Sequence, residues 1–92
     1  MTNPEKPQQQ FPPIGIYEHY KSTPEAKRYY QVLGFANHTE SHEILVVYLP
    51  LYLDPRHSGP ILQARPLSMF VEEIEINGKL LPRFRFIGTE LS

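Results

Sequence analysis

Apolar positions in this chain fall into short blocks separated by turn-forming residues, and the spacing within the blocks is that of strands. Gly15 to Tyr20 (GIYEHY) carries large side chains suited to a pleated surface. Tyr29 to Ala36 (YYQVLGFA) and Glu43 to Leu49 (EILVVYL) place apolar groups on both alternation faces, as central strands do. Gly34 marks a bend or bulge in the first of these. The polar segment Asn37 to His42 then joins the two as a hairpin with a longish loop. Between the first two blocks, Thr23 is placed to cap a short helical turn beginning at Pro24.

Beyond Pro50, the pairs Asp54-Pro55 and Gly59-Pro60 interrupt regular structure. A short strand is expected over Leu62 to Arg65, ending before Pro66, and a single 3₁₀-like turn over Pro66 to Phe70. The last hairpin flanks Asn77-Gly78, with strands over Val71 to Glu75 and Lys79 to Ile87. A two-residue loop sets Ile74 and Phe84 on opposite faces of such a hairpin. A three-residue loop, Ile76-Asn77-Gly78, gathers Phe70, Ile74, Leu80, Phe84 and Phe86 on one face. Burying a phenylalanine is worth about 2 kcal/mol, more than a turn preference, so the longer loop is expected. That register points Arg83 and Arg85 outward, partly paired with Glu73, and leaves Glu72 on the apolar face, at a barrel rim.

These elements predict an all-β domain of about five short antiparallel strands with a 3₁₀ turn. A flat sheet leaves one apolar face in water, so the expectation is closure into a small SH3-like barrel or roll over residues 14–88. Residues 1–13 are rich in proline and glutamine and are expected to be a disordered tail, with residues 89–92 a short C-terminal tail.

Composition narrows the function classes. At 92 residues there is room for one domain with a thin core. The formal net charge of -1 lacks the basic excess of a non-specific nucleic-acid binder, although a local basic patch remains compatible with it. With no cysteine, there is no disulfide, thiolate metal site or cysteine nucleophile. No signal core and no run of about 18 apolar residues occurs, so the expectation is a cytoplasmic protein without a membrane partner.

Candidate chemistry is sparse. No phosphate loop, dinucleotide fingerprint or nucleophile elbow is present. His38, Glu40 and His42 put two imidazoles and a carboxylate in one loop, which zinc or nickel could use, but their spacing is no established metal signature and a polar hairpin loop accounts for them. Six tyrosines are many for this length. Barrel-rim packing explains most of them, and small barrels also bind ligands on such aromatic surfaces. The candidate ligand-binding set is His19, Tyr20, Lys21, Tyr48, Tyr52 and Arg65, with Arg65 either an anion anchor or half of a structural ion pair.

Several blocks together carry a resemblance: Gly15 to Lys21 (GIYEHYK), Tyr30 to Glu40 (YQVLGFANHTE), Leu45 to Tyr48 (LVVY), Arg65 to Phe70 (RPLSMF) and Pro82 to Phe84 (PRF). In order and spacing the chain resembles, from Gly15 to Ile87, a small bacterial family, the domain of unknown function numbered sixteen fifty-three. The resemblance implies an SH3-like barrel and no activity. Two departures stand out: Ser22 to Arg28 is longer than the usual link, and Gln63 stands where an aromatic residue is expected, which would alter a groove that the aromatic lines.

The reading that follows is a non-enzymatic binding or adaptor module without a cofactor. Its ligand would be a peptide or nucleic-acid segment, and it would be a monomer or homodimer. The alternatives are a small metal-dependent enzyme built on the His38–His42 loop and a structural subunit that associates with itself through an edge strand.

Overall fold

The structure is a computed structural model that describes residues 11–52 and 61–90. Five strands form one antiparallel sheet: β1 (Gly15–His19), β2 (Tyr29–Asn37), β3 (Ile44–Pro50), β4 (Gln63–Pro66) and β7 (Phe84–Gly88). Their order across the sheet is β4-β3-β2-β1-β7. A one-turn helix, α1 (Leu67–Phe70), follows β4, and β5 (Glu73–Ile76) and β6 (Lys79–Pro82) make a separate two-stranded ribbon. The domain is all-β, as the spacing of apolar blocks predicts.

Directly opposed residues of neighbouring strands share a face. Tyr17 opposes Tyr30, His19 opposes Phe84, Val32 opposes Tyr48, Tyr48 opposes Gln63 and Val46 opposes Arg65. One face of the sheet therefore carries both the core and a polar set at one end of the strands. The core unites Tyr17, Tyr30, Val32, Val46, Tyr48, Leu67, Phe70 and Phe84, with Val32 and Val46 wholly shielded from solvent. A bulge between Val32 and Gly34 turns Leu33 outward, at the bend expected of Gly34.

β4 and β7 are not hydrogen-bonded to each other, so the sheet is a curled roll whose seam is closed by side chains. The Phe70 ring stacks on Phe84 with centroids 4.4 Å apart and planes 4° from parallel, and the Arg65 guanidinium lies 5.4 Å from the Phe84 ring centroid. α1 has an α-type bond from the Val71 N–H to the Leu67 carbonyl in place of the expected 3₁₀ turn. This wider α turn carries both Leu67 and Phe70 into the core.

The last hairpin departs from the sequence-based expectation. Ile76 pairs with Lys79 across a two-residue turn, with Asn77 and Gly78 at φ values of 53° and 79°. These are the left-handed angles of a type I′ turn, whose twist matches that of its strands. The three-residue loop was required only if Lys79 to Ile87 ran as one strand. The strand instead breaks at Arg83. Its N–H bonds to the Glu72 carbonyl and its own carbonyl accepts from the Tyr20 N–H. The break decouples the two faces: Phe84 enters the core while Leu80 stays exposed on the ribbon. Arg83 pairs with Glu72 and Arg85 with Glu18, at 2.9 and 2.6 Å, so neither pairs with Glu73 as expected. Glu72 lies on the surface.

Thr23 accepts the Ala26 N–H through Oγ1, but the segment forms a tight turn with no helix. Of the expected N-terminal tail, residues 1–10 lie outside the described residues. Phe11 packs on Phe35 with ring centroids 4.8 Å apart, and the Pro13 carbonyl accepts the Tyr17 hydroxyl at 2.6 Å. The breaks expected at Asp54-Pro55 and Gly59-Pro60, and the end of the C-terminal tail, also lie outside the described residues.

Gly15 has φ +149°, and a Cβ there would meet the Gly88 carbonyl oxygen at 2.5 Å. Gly15→Ala is therefore expected to lower stability by about 1–3 kcal/mol. Phe70→Ala opens the seam and is expected to cost about 3–5 kcal/mol, a large share of the stability of a domain this size. Urea denaturation followed by tyrosine fluorescence checks both, and a Phe70→Ala midpoint equal to that of the parent would refute the role given to the stack.

Candidate functional site

At the end of the roll where β1 and β3 finish and β2 and β4 begin, the core face opens into a groove. The chain's register brings the groove together from four strands: His19 from β1, Tyr30 from β2, Tyr48 and Pro50 from β3, and Gln63 and Arg65 from β4. Lys21, Arg28 and Tyr52 complete its walls, and its volume is about 330 Å³.

The tyrosines have buried bodies and polar tips, which suits them to the boundary between core and groove. Tyr30 packs edge-on against Tyr48, Tyr52 and Phe84, and its hydroxyl lies 2.7 Å from that of Tyr52. Burial and the Tyr52 hydroxyl push the Tyr30 phenol well above its ordinary range, so it is a neutral hydrogen-bonding group. Tyr48 is buried and makes no side-chain hydrogen bond among the described residues.

The groove's cations have an unusual setting. Arg65 rests on the Phe84 ring and Arg28 lies 5.9 Å from the centroid of Tyr52. Among the described residues, neither has a carboxylate within ion-pair distance and none of those lining the groove is acidic. Each guanidinium lies over an aromatic face, and no carboxylate among the described residues claims its N–H groups.

His19 records the resulting field. Burial, then the positive charges of Arg28, Arg65, Arg83 and Lys21, lower its pKa to about 4. Its Nδ1 accepts the Lys21 N–H at 3.1 Å, so the neutral ring carries its proton on Nε2. The ring stacks on Tyr20 and meets Phe84 edge-on.

A second cleft, of about 380 Å³, lies beside Glu18, Tyr20, Ser22, Lys27 and Arg85. Its charges are mutually satisfied. Glu18 bonds to Arg85 at 2.6 Å and Lys27 at 3.5 Å. A hydrogen bond from Ser22, opposed by burial and aided by Lys27 and Arg85, holds the carboxyl below its usual range. This is an ion-pair network on the outer face of β1 and β7, and it leaves no group uncompensated for a ligand.

Of the six residues singled out from sequence, the groove gathers His19, Lys21, Tyr48, Tyr52 and Arg65, while Tyr20 lines the second cleft. Arg65 has none of the structural ion pairs weighed for it; its packing partner is Phe84. Sequence reasoning passed over Arg28, Tyr30 and Pro50. Arg28 reaches the groove because the long Ser22–Arg28 link folds back: the Arg28 carbonyl accepts from the His19 N–H, and its own N–H bonds to Ser22 Oγ. Only Gln63, standing in place of an aromatic, gave a sequence signal for the groove's floor.

His38, Glu40 and His42 are not assembled as a ligand set. His38 Nδ1 accepts the Glu40 and Ser41 N–H groups, and no group of three His, Cys, Asp or Glu among the described residues is placed to hold a metal ion. No helix among the described residues is long and apolar enough to cross a membrane.

The pH dependence of stability follows from His19. Its pKa falls from 6.5 unfolded to about 4 folded, so the unfolded chain takes up this proton first. Its contribution is complete above pH 6.5 and is lost progressively as pH drops toward 4. Glu18, also lowered, loses its contribution only below about 4.5. Melting temperature is therefore expected to fall by several degrees between pH 7 and 5, and His19→Gln to flatten that decline; an equally steep decline in the variant would refute the assignment.

The comparisons with known proteins agree with this architecture. The model of the family described as protein of unknown function, DUF1653, matches residues 15–86. The chain is also similar to the crystal structure of a DUF1653 protein from Bordetella bronchiseptica, at 31% identity and a TM-score of 0.68, covering 84% of this chain and 88% of that one. No curated protein matches the chain. A match spanning β1 through β7, with a solved fold behind it, makes this chain a member of the DUF1653 family, whose function is not established.

Proposed function

We propose that the protein is a non-enzymatic binding module whose ligand, an anionic segment of a peptide or nucleic acid, seats in the groove between Lys21, Arg28 and Arg65. The observation that carries this reading is the pair of guanidinium groups lying over aromatic rings in a partly buried groove with no carboxylate among its described lining residues. Cations drawn together in partly desolvated surroundings repel one another; burial first, and then these charges, lower the His19 pKa. An entering anion relieves that repulsion and gains charge-assisted hydrogen bonds from guanidinium groups, whose forked donors suit bidentate contact. The chain as a whole is slightly acidic, so the attraction comes from this local cluster and not from net charge.

A binding role also fits the shape. The groove is open to solvent, and among the described residues no nucleophile lies beside His19 with a carboxylate to orient it, which is what nucleophilic or general-base hydrolysis needs. Its lining offers cations, hydroxyls and one amide, all of which recognise and none of which is arranged to react.

The test is an amide NMR titration of the full chain at low salt with three pools: single-stranded oligonucleotides, acidic peptides and phosphopeptides. Shifts are expected to cluster at His19, Lys21, Arg28, Tyr48, Gln63 and Arg65 and to weaken with added salt. Arg28→Gln and Arg65→Met, the latter keeping an apolar stem on Phe84, are each expected to weaken binding at least about tenfold, the value of one lost charge-assisted hydrogen bond. Shifts that avoid the groove with every pool would overturn the reading.

A further inference from the structure

The groove's dimensions and the placement of its polar groups define its ligand more closely than an anionic segment. Its volume of about 330 Å³ is at the small end of ligand pockets. An extended peptide binds most readily by adding a strand to an unpaired sheet edge, where backbone groups supply the affinity. This groove crosses the face of the sheet from β1 to β4, and side chains wall it, so it offers no backbone ladder. It suits one compact group.

A long polyanion fits poorly as well. Tracking a phosphate backbone takes a basic stripe, and this chain has 9 Lys and Arg against 10 Asp and Glu. Of the other described basic side chains, Lys27 and Arg85 pair with Glu18 and Arg83 with Glu72, and Lys79 sits apart at the β5–β6 turn. Among the described residues, three cations without an ion pair are drawn together within a single ligand's width.

The lining contains two kinds of chemistry. Lys21, Arg28 and Arg65 form a cationic part matched to a multiply charged oxyanion, for which forked guanidinium donors are the best protein ligand. The Gln63 amide and the hydroxyls of Tyr48 and the Tyr30–Tyr52 pair form a neutral part that both donates and accepts hydrogen bonds. His19, with Nδ1 tied to the Lys21 N–H, adds one neutral Nε2–H donor at the cationic side. Aromatic and proline surfaces, from Tyr48, Tyr52 and Pro50, frame the neutral part. A nucleobase edge carries donors and acceptors on a flat apolar body, and it lies one sugar away from a phosphate.

We infer that the groove takes a single nucleoside 5′-monophosphate unit, its phosphate against Arg28, Arg65 and Lys21 and its base edge against Gln63 and the tyrosine hydroxyls. The unit is either a free nucleotide or the 5′-phosphorylated end of a strand. This inference rests on the groove being the binding surface.

The experiment titrates the full chain, observed by amide NMR, with adenosine and uridine 5′-monophosphates, adenosine, inorganic phosphate, and a tetranucleotide with and without a 5′-phosphate. A nucleoside monophosphate is expected to move the groove signals, with adenosine and inorganic phosphate each at least about tenfold weaker. Gln63→Ala is expected to weaken the nucleotide severalfold while leaving inorganic phosphate unchanged. Arg28→Gln is expected to weaken both, so the inference does not depend on the folding of an Arg65 variant. A phosphorylated tetranucleotide binding as tightly as the monophosphate, with its unphosphorylated form much weaker, assigns the strand end; tight binding of the monophosphate alone assigns the free nucleotide. Inorganic phosphate binding as tightly as the nucleotide overturns the inference. So do acidic peptides or phosphopeptides that shift the groove when nucleotides do not, and in that case the groove's role as a binding surface stands. Silence of the groove toward every anion overturns both.

Discussion

The parallel stack of Phe70 on Phe84 is the contact on which the roll depends. It joins the helical turn that follows β4 to the strand at the opposite end of the sheet, where no backbone hydrogen bonds connect them. Sheet curvature brings the two ends close, and a pair of large aromatic faces then removes the remaining apolar surface from water. Tyr17 and Tyr48 close around the same rings. A small domain buries little area in total, so one such contact carries a disproportionate share of its stability.

The same contact shapes the site. α1 starts beyond Pro66 and covers one part of the core face, and what it leaves uncovered becomes the groove. Phe84 serves both: one side receives Phe70, and Arg65 and His19 lie against the ring as well. Arg65 is thereby positioned by packing and keeps its hydrogen-bonding edges uncommitted to a carboxylate. The outer face of β1 shows the opposite arrangement, in which Glu18 gathers Lys27 and Arg85 into a closed ion-pair network. Two clefts of similar size differ in the one respect that matters for ligand binding, namely whether their charges are already compensated.

Much of the fold was legible in the chain. The apolar runs at Tyr29 to Ala36 and Glu43 to Leu49 pointed to central strands, since both of their faces are apolar, and Gly34 marked the bulge inside the first of them. Blocks spaced along most of the chain carried the family. The last hairpin was misread for a specific reason. Keeping Ile74 and Phe84 on one face demanded a longer loop only while Lys79 to Ile87 was treated as continuous. No local signal besides Pro82 announced that backbone bonds to Glu72 and Tyr20 would break the strand at Arg83.

Local pattern thus determined the class of the domain, its central strands and the turn residues, because side-chain alternation and backbone preference act over a few positions. Tyrosine content and the Arg65-Pro66 block marked candidate chemistry without placing it. Only the tertiary structure decided which face each aromatic takes, that Arg28 folds back beside His19, and that Tyr20 turns away into the other cleft. Those outcomes depend on pairing between strands far apart in sequence and on the seam closed by Phe70. Charge compensation is likewise a property of distances between distant residues, and composition alone, with its near-neutral sum, gave no sign of a groove whose described lining holds cations and no carboxylate.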